Sequence, residues 1–207
     1  MSGVTISVKH DIDRAIRDLD DTARQKVPRA AARALNKVGA QAKTQAAREI
    51  KDRYQIGTRM ISKYISVARR ASPSSLTVEV RAEGRPLPIL AFKARQTRKG
   101  VTVEVVRGNR KLISHAFIKT MKSGHRGVFA RTRAAGASGY LGGSFQFRHG
   151  KGSRLRKKGN DLPIGELLTL GIPQAFSNRM VIERLDKLVR DKFPEIFRHE
   201  LDFILGR

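Results

Sequence analysis

The sequence predicts an α+β fold, in which a small antiparallel sheet packs with long N-terminal and C-terminal helices and a long basic loop insertion is added. Apolar residues recur at helical spacing towards both ends of the chain, and they alternate with polar residues in between. A glycine-rich stretch at 131–160 follows neither period. With 40% hydrophobic residues among its 207, the chain has enough apolar side chains to bury a core.

The N-terminal region predicts one strand followed by helices. Val4, Ile6 and Val8 alternate with polar residues, as in a strand with one buried face. An aspartate at 11 or 13 is placed to cap a first helix. Pro28 fits the first turn of a second helix, whose Ala-rich apolar stripe continues to about Arg53. The small side chains of this stripe suit close packing against a sheet or a neighbouring copy of the protein.

The middle of the chain predicts a short helix and then strands. Thr58 is placed to cap a helix that carries Ile65 and Val67 and ends before Pro73. Alternating apolar residues then mark strand segments at 76–81, 87–90 and 101–105, with a further strand at 128–130. The connections are too short for crossover helices, so the pattern predicts a meander of three or four antiparallel strands.

The C-terminal region predicts a long helix that starts between Gln174 and Asn178. Its apolar residues repeat at helical spacing to Phe193, and Pro194 is expected to kink or break the helix before the pattern resumes to Leu205. This apolar face is large enough to be either core or an inter-subunit surface.

Charge is distributed unevenly along the chain. There are 43 Lys and Arg against 18 Asp and Glu, a formal net charge of +25, which is not typical of a soluble enzyme. Residues 105–160 contain 14 of the basic residues and no acidic one, whereas 161–207 contain 7 basic and 8 acidic residues. Cations without nearby carboxylates must meet solvent, nucleic-acid phosphate or an acidic protein surface.

Residues with catalytic or metal-binding chemistry form no convincing motif. The lack of cysteine excludes thiolate zinc sites and cysteine nucleophiles, and five scattered histidines show no metal-ligand spacing. The run 150–153 lacks the first glycine and the magnesium-binding hydroxyl of a phosphate loop. Asp161 and Glu166 flank the basic stretch and are better suited to cap or salt-bridge it than to form an acid/base pair. The sequence therefore predicts no catalytic, cofactor or metal site.

Neither a signal peptide nor an apolar run of membrane-spanning length is recognised, so the sequence predicts a soluble protein without a membrane partner.

The stretch at 131–160 is predicted to be an insertion that becomes ordered on assembly, within a single domain formed by 1–130 and 161–207. Three interpretations stay open: a solvated loop, a surface for a protein partner, and a surface that faces DNA. Its few aromatic residues form no recognisable base-stacking platform. Any such contact is expected to rest on seven residues: Arg131, Arg133, Arg148, Arg154, Arg156, Lys157 and Lys158.

Several segments occur in an order and spacing that point to one known family. They are 27–38 (VPRAAARALNKV), the basic helix at 59–70, 108–118 (GNRKLISHAFI) with 127–131 (GVFAR), and the ending from 182–185 (IERL) through 193–195 (FPE) to Ile204. Together they resemble the minor tail protein Z family of long-tailed, lambda-like phages, whose members are also called tail completion proteins. The resemblance spans nearly the whole chain, and the lambda-like pattern has a shorter connection where this chain has its basic insertion.

The resemblance implies a non-enzymatic structural protein of the virion that completes the head-proximal end of the tail so that it can join the head. Such components usually form rings with the sixfold symmetry of the tail, which implies a hexameric ring at the head–tail neck. The implied neighbours are the tail terminator, tail tube and neck or connector proteins, with packaged DNA as a further partner of the basic loop. Before incorporation, the protein is expected in the host cytoplasm.

Charge alone favours a different function, that of a non-sequence-specific DNA-binding protein of nucleoid or packaging type. A nuclease is disfavoured, because the sequence offers no carboxylate cluster that would hold magnesium.

Overall fold

The computed structural model describes residues 4–7, 21–131, 146–149 and 164–206. These residues form an α+β fold with small antiparallel sheets and long helices towards both ends of the chain, which confirms the predicted class. They divide into two compact units, the first being Met1–Ile50, Thr58–Gly84 and Phe176–Arg207, and the second Lys51–Gly57 and Arg85–Ala175. A single domain interrupted at 131–160 remains a prediction.

The first unit contains a three-stranded antiparallel sheet. Its strands are β1 (Val4–Ser7), β2 (Ile65–Arg69) and β3 (Glu79–Ala82), and β3 lies between the other two. The pairing of Val4 with Ala82 sets the register of β1 on β3. The strand predicted from Val4 and Ile6 is thereby confirmed.

The long helix α1 (Asp21–Arg53) begins seven residues before Pro28, so placing this proline in the first turn was wrong. Proline removes one backbone donor from the helix, and the Ala-rich run that follows favours the helical conformation strongly enough to accommodate that loss. The small-residue face of α1 packs on the sheet, since a Cβ added to Gly39 would lie 2.7 Å from Cγ2 of Val78. The helix predicted after Asp11 or Asp13 falls outside the described residues before Asp21.

The short helix α2 (Thr58–Tyr64) ends earlier than its apolar pattern predicts, because Ile65 and Val67 belong to β2. Ile65 is buried and Ser66 is exposed, which is the two-residue period of a strand. Val67 pairs with Val80 of β3 in the antiparallel register. β-Branched side chains pack well on a sheet, and this long-range pairing overrides the helical spacing.

Helix α4 (Arg179–Leu205) runs through Pro194 without the predicted break. Its N-terminus is capped by Asn178, whose side chain accepts a hydrogen bond from the N–H of Met180. Two ion pairs join it to α1, Arg184 with Glu49 and Lys37 with Glu200. The pairing of the end of α1 with the start of α4 makes the two helices antiparallel.

Apolar residues of α1, α4 and the segments that follow β2 and precede β3 form the core of the first unit. Its buried members are Val27, Ala31, Ala32, Ala34, Leu35, Val38, Ala71, Val78, Val189 and Phe193. The predicted apolar stripe of α1 and much of that of α4 are therefore core. Among the described residues, no helix has the length and apolar character needed to cross a membrane.

The second unit contains two antiparallel sheets. The first is a meander of β4 (Arg95–Thr97), β5 (Gly100–Val106) and β6 (Asn109–Ser114). The second has the order β7-β8-β10-β9, formed by β7 (Phe117–Thr120), β8 (Arg126–Arg131), β9 (Gln146–His149) and β10 (Ile164–Leu168). Strand predictions at 101–105 and 128–130 are confirmed, whereas β9 lies in a stretch predicted to have no regular structure.

The strand predicted at 87–90 is instead an extended link followed by a short 3₁₀ helix, Ile89–Ala91. Prolines at 86 and 88 lack the N–H groups that a continuous strand needs. Leu87 still donates to the carbonyl of Leu170 and accepts from the N–H of Thr169, so this link lies beside the chain that follows β10. The short helix α3 (Ile172–Phe176) comes next.

Candidate interaction surface

The basic stretch is anchored between two neighbouring strands of the second unit. Arg131, the last residue of β8, lies opposite Ile164, the first residue of β10. The chain therefore leaves the sheet after 131 and returns to it at 164 at adjacent positions. Between these points, β9 adds to the other edge of β10, where Arg148 pairs in register with Glu166.

Two of the seven predicted contact residues lie in these strands. Arg131 is exposed at the end of β8, and the backbone of Arg148 lies in β9. β8 and β9 belong to the same sheet, with β10 between them. The structure therefore places Arg131 and the backbone of Arg148 on one sheet, two strands apart. The other five lie outside the described residues: Arg133, Arg154, Arg156, Lys157 and Lys158.

Exposed cations are not confined to the predicted insertion. Seven lie on the strands and turns of 105–131, and all of them are exposed: Arg107, Arg110, Lys111, Lys119, Lys122, Arg126 and Arg131. The carboxylates described in the second unit are those of Asp52, Glu104 and Glu166. This excess of cations gives the unit a positive field that attracts anionic surfaces.

Glu104 is held by the hairpin that joins β5 to β6. The N–H of Gly108 donates to Oε1 at 3.0 Å, and Nη2 of Arg110 lies 3.4 Å from Oε2. These contacts, the Gly108 hydrogen bond first, lower the pKa of Glu104 from its ordinary value. The carboxylate therefore serves the turn of the hairpin.

Glu166 is almost fully buried and bonds to a histidine that sequence spacing did not reveal. Its Oε1 lies 2.8 Å from Nε2 of His125, which is 41 residues away and stands in the turn before β8. The His125 ring also packs edge-on against Phe129, with centroids 6.3 Å apart. The pair ties the β7–β8 turn to β10. A salt bridge from Glu166 to the basic stretch at 131–160 remains a prediction, and Asp161 lies outside the described residues.

In the part of the chain that the structure describes, no three His, Asp or Glu side chains are grouped so that they could hold a metal ion. The prominent chemistry of the second unit is the exposed positive charge carried by its strands and turns.

The sequence model of the family described as prophage minor tail protein Z (GPZ) matches residues 10–205. The chain belongs to this family. No curated protein and no solved structure matches the chain.

As a minor tail protein Z, the chain is a structural protein of the phage tail, located in the virion among other virion proteins. The match extends across both compact units and across the basic stretch between β8 and β10. The exposed cations therefore belong to a protein of an assembly, whose surfaces meet other components. The sequence located the cations of 105–160 but not the strands that carry them, and the structure places Arg110 and Lys111 on the exposed part of β6 and Lys119 on β7.

Proposed function

We propose that this minor tail protein Z completes the head-proximal end of the tail so that it can join the head, acting in a hexameric ring at the head–tail neck. It works by binding and geometry, without catalysis. The observation that supports this most strongly is the family match over residues 10–205. The tail terminator, tail tube and neck or connector proteins are its proposed neighbours.

The second unit suits such a role because it combines strand edges with concentrated charge. Exposed edges are natural association surfaces, and closed rings repeat one surface in every subunit. In a ring, each copy places the 14 cations of 105–160 at an equivalent position around the axis. Arg131 and Ile164 are paired on neighbouring strands, and β9 adds to the other side of β10, so β8 and β10 stay adjacent.

In this role, the seven predicted contact residues of the basic stretch bind either the acidic surface of a neighbouring tail protein or the end of the packaged DNA. Arg131 marks where the stretch leaves the sheet. The direction of the stretch in the ring, towards the lumen or towards a neighbour, distinguishes the two contacts.

A second candidate, a free non-sequence-specific DNA-binding protein, is favoured by the net charge of +25 alone. The affinity of such a protein falls steeply with salt, because binding releases the counterions condensed on the phosphates. A component of the neck instead stays in particles washed at high salt.

The deciding experiment is cryo-electron microscopy of intact, salt-washed particles. We expect ring density for this chain between head and tail, with 131–160 directed either to the lumen or onto a neighbour. Absence of the chain from the particles, together with salt-sensitive binding of the purified protein to duplex DNA, would replace the proposed function by the second candidate.

A matched pair of variants tests the basic stretch. Replacing the seven contact residues by glutamine is expected to reduce the number of joined, infectious particles. The control replaces seven exposed cations of the first unit in the same way: Arg29, Arg48, Arg59, Lys63, Arg70, Lys187 and Arg198. Equal titres and equal DNA affinities for the two variants would reject a role for the stretch.

A further inference from the structure

Strand β6 is the edge of its sheet and is exposed for most of its length. The order of the sheet is β4-β5-β6, and among the described residues no strand pairs with the outer side of β6. Residues Asn109 to Leu112 are exposed, and Leu112 retains 47% of its accessible surface. A six-residue edge of this kind is a template for a further strand.

The hydrogen bonds show which backbone groups point outward. The N–H of His115 donates to the carbonyl of Lys99 at 3.2 Å, just beyond the Gly100–Ser114 pair. Antiparallel pairs alternate between bonded and non-bonded, so Ile113 and Lys111 bond to β5. The carbonyl of Gly100 accepts from Oγ1 of Thr97 at 2.9 Å, on the β4 side, which fits the same alternation.

Arg110, Leu112 and Ser114 consequently direct their N–H and C=O groups away from β5, towards the open side of the sheet. An added strand would bond to these three residues. Their spacing of two residues is the spacing that β-strand addition uses.

The charge of the edge selects the kind of strand that fits. Arg110 and Lys111 lie on β6, and the one carboxylate on the strands of this sheet, Glu104, is already bonded to Gly108 and Arg110. Opposite charges on facing strands stabilise the pair, and like charges destabilise it. A strand that carries Asp or Glu is therefore favoured over a neutral or basic one.

A second copy of this chain is a poor occupant. Pairing β6 with β6 would bring Arg110 and Lys111 of both copies together. Three strands of the described chain carry a glutamate, β3, β5 and β10, and each of them is already hydrogen-bonded on both sides within its own sheet. Residues 105–160 contribute no carboxylate at all.

Nucleic acid also fits this edge poorly. Outward carbonyls alternate with the outward N–H groups and repel phosphate oxygens, whereas a peptide backbone satisfies both. Leu112, exposed beside the two cations, offers an apolar contact that phosphate does not use.

We propose that the edge of β6 binds an extended acidic segment of another tail protein, which adds as a strand to the β4-β5-β6 sheet. This inference rests on the proposed function only in taking the partner from the assembled tail. The segment bonds to Arg110, Leu112 and Ser114 through its backbone, and its carboxylates face Arg110 and Lys111.

The first test uses the lack of natural cysteine in this chain. A Leu112→Cys variant carrying a benzophenone maleimide is irradiated in purified tails, and the crosslinked peptides are identified by mass spectrometry. We expect crosslinks to a peptide of a different tail protein that contains Asp or Glu within a few residues. Gln41→Cys on α1 is the control, and no such crosslink is expected from it. Crosslinks formed chiefly with a second copy of this chain or with DNA would overturn the proposal. A crosslink yield no higher than that of the Gln41→Cys control would overturn it as well.

The second test removes the outward donor. Leu112→Pro deletes an N–H that points away from β5, whereas Leu112→Ala keeps it. We expect incorporation of Leu112→Pro into tails to fall about tenfold below Leu112→Ala, the effect of roughly one hydrogen bond. Thermal unfolding of both purified variants reports whether the fold is intact.

Lys111→Glu provides an independent variant if Leu112→Pro fails to fold, and its incorporation is expected to fall because an acidic strand would now face an acidic residue. Wild-type protein that is absent from tails contradicts the proposed function. Wild-type protein that is present, with both variants incorporated as well as Leu112→Ala, contradicts the strand-addition proposal alone.

Discussion

Asn36 and Ala71 exchange two hydrogen bonds across 35 residues of sequence. Nδ2 of Asn36 donates to the carbonyl of Ala71 at 2.9 Å, and the N–H of Ala71 donates to Oδ1 at 2.9 Å. The amide thus takes the place of a neighbouring strand for the segment that follows β2. The Asn36 side chain on α1 thereby positions the backbone of Ala71, which lies beyond the end of β2.

Asn36→Ala is expected to lower the free energy of unfolding by about 1 to 3 kcal/mol, because two backbone groups of Ala71 lose their partner. Asn36→Asp keeps the acceptor but places a carboxylate against the Ala71 carbonyl, so it should be no less destabilising. Urea unfolding followed by circular dichroism measures both variants, with the exposed helix substitution Gln41→Ala as the reference. An Asn36→Ala variant as stable as Gln41→Ala would contradict the role given to this amide.

Glu200 is a buried carboxylate of α4 that is paired with Lys37 and lies 4.0 Å from Arg33. Lys37→Gln should cost about 1 to 3 kcal/mol, since the buried carboxylate loses its nearest charged donor. Exchanging the charges, with Lys37→Glu and Glu200→Lys combined, should recover part of the loss of each single reversal. A double-mutant cycle of unfolding free energies measures this coupling, and strict additivity would show that the two side chains do not interact.

At Gly100, the first residue of β5, both the backbone conformation and the close approach of β6 exclude a side chain. Its φ is +152°, and an added Cβ would lie 2.1 Å from the carbonyl oxygen of Ile113. Gly100→Ala should destabilise the protein by about 2 kcal/mol or more, because both the backbone and the β5–β6 ladder must shift. Gly57→Ala is the control, since nothing lies within 4 Å of its added Cβ. Comparable melting temperatures for the two variants would refute this assignment.

The lowered pKa of Glu104 makes the β5–β6 hairpin sensitive to acid. A carboxyl whose folded pKa is below its unfolded value of about 4.5 stabilises the fold above that value. This contribution is lost as the pH falls through the lowered pKa. Glu104→Gln should therefore be less stable than the wild type at pH 7, and the difference should shrink as the solution is acidified below the unfolded pKa of about 4.5.

Carboxyl chemical shifts followed through an acid titration test the cause of this shift. Because the Gly108 hydrogen bond is the largest contribution, Arg110→Gln should relax the pKa of Glu104 only in part. A pKa that returns fully to the unfolded value in Arg110→Gln would assign the effect to the arginine instead.

Local patterns predicted the elements whose neighbours agree with their period. Val4 and Ile6 mark β1, residues 101–105 mark β5, and the C-terminal helix expected to start between Gln174 and Asn178 is α4, which begins at Arg179. Patterns failed where a distant strand or helix decided the outcome. Ile65 and Val67 fit a helix by spacing, yet their pairing with β3 makes them a strand.

Prolines were misjudged for a related reason. Pro28 and Pro194 each remove a backbone hydrogen bond, which predicts a helix start at Pro28 and a kink or break at Pro194. Both nevertheless lie inside long helices, in which Ala-rich sequence and the packing of α1 on α4 maintain the helix. The loss of one hydrogen bond is small beside the burial of a helix face.

The sequence predicted the basic character of the candidate surface, but only part of its location. Sequence alone locates the carboxylate-free stretch of 105–160 and its seven basic candidates, of which the structure describes Arg131 and the backbone of Arg148. It does not reveal that Glu166 bonds to His125, because 41 residues separate them. Nor does it reveal the outward N–H groups of β6, which depend on register.

By itself, the sequence determined the α+β class, the family and the unequal distribution of charge, since these depend on residue type and local order. Only the tertiary structure decided which strand lies at the edge, which carboxylates are engaged and where the basic stretch leaves the sheet. Those properties arise from pairings between distant segments, as between Arg131 and Ile164 or Asn36 and Ala71. Local residue spacing does not predict such pairings, because they depend on the burial and hydrogen bonding of the whole fold.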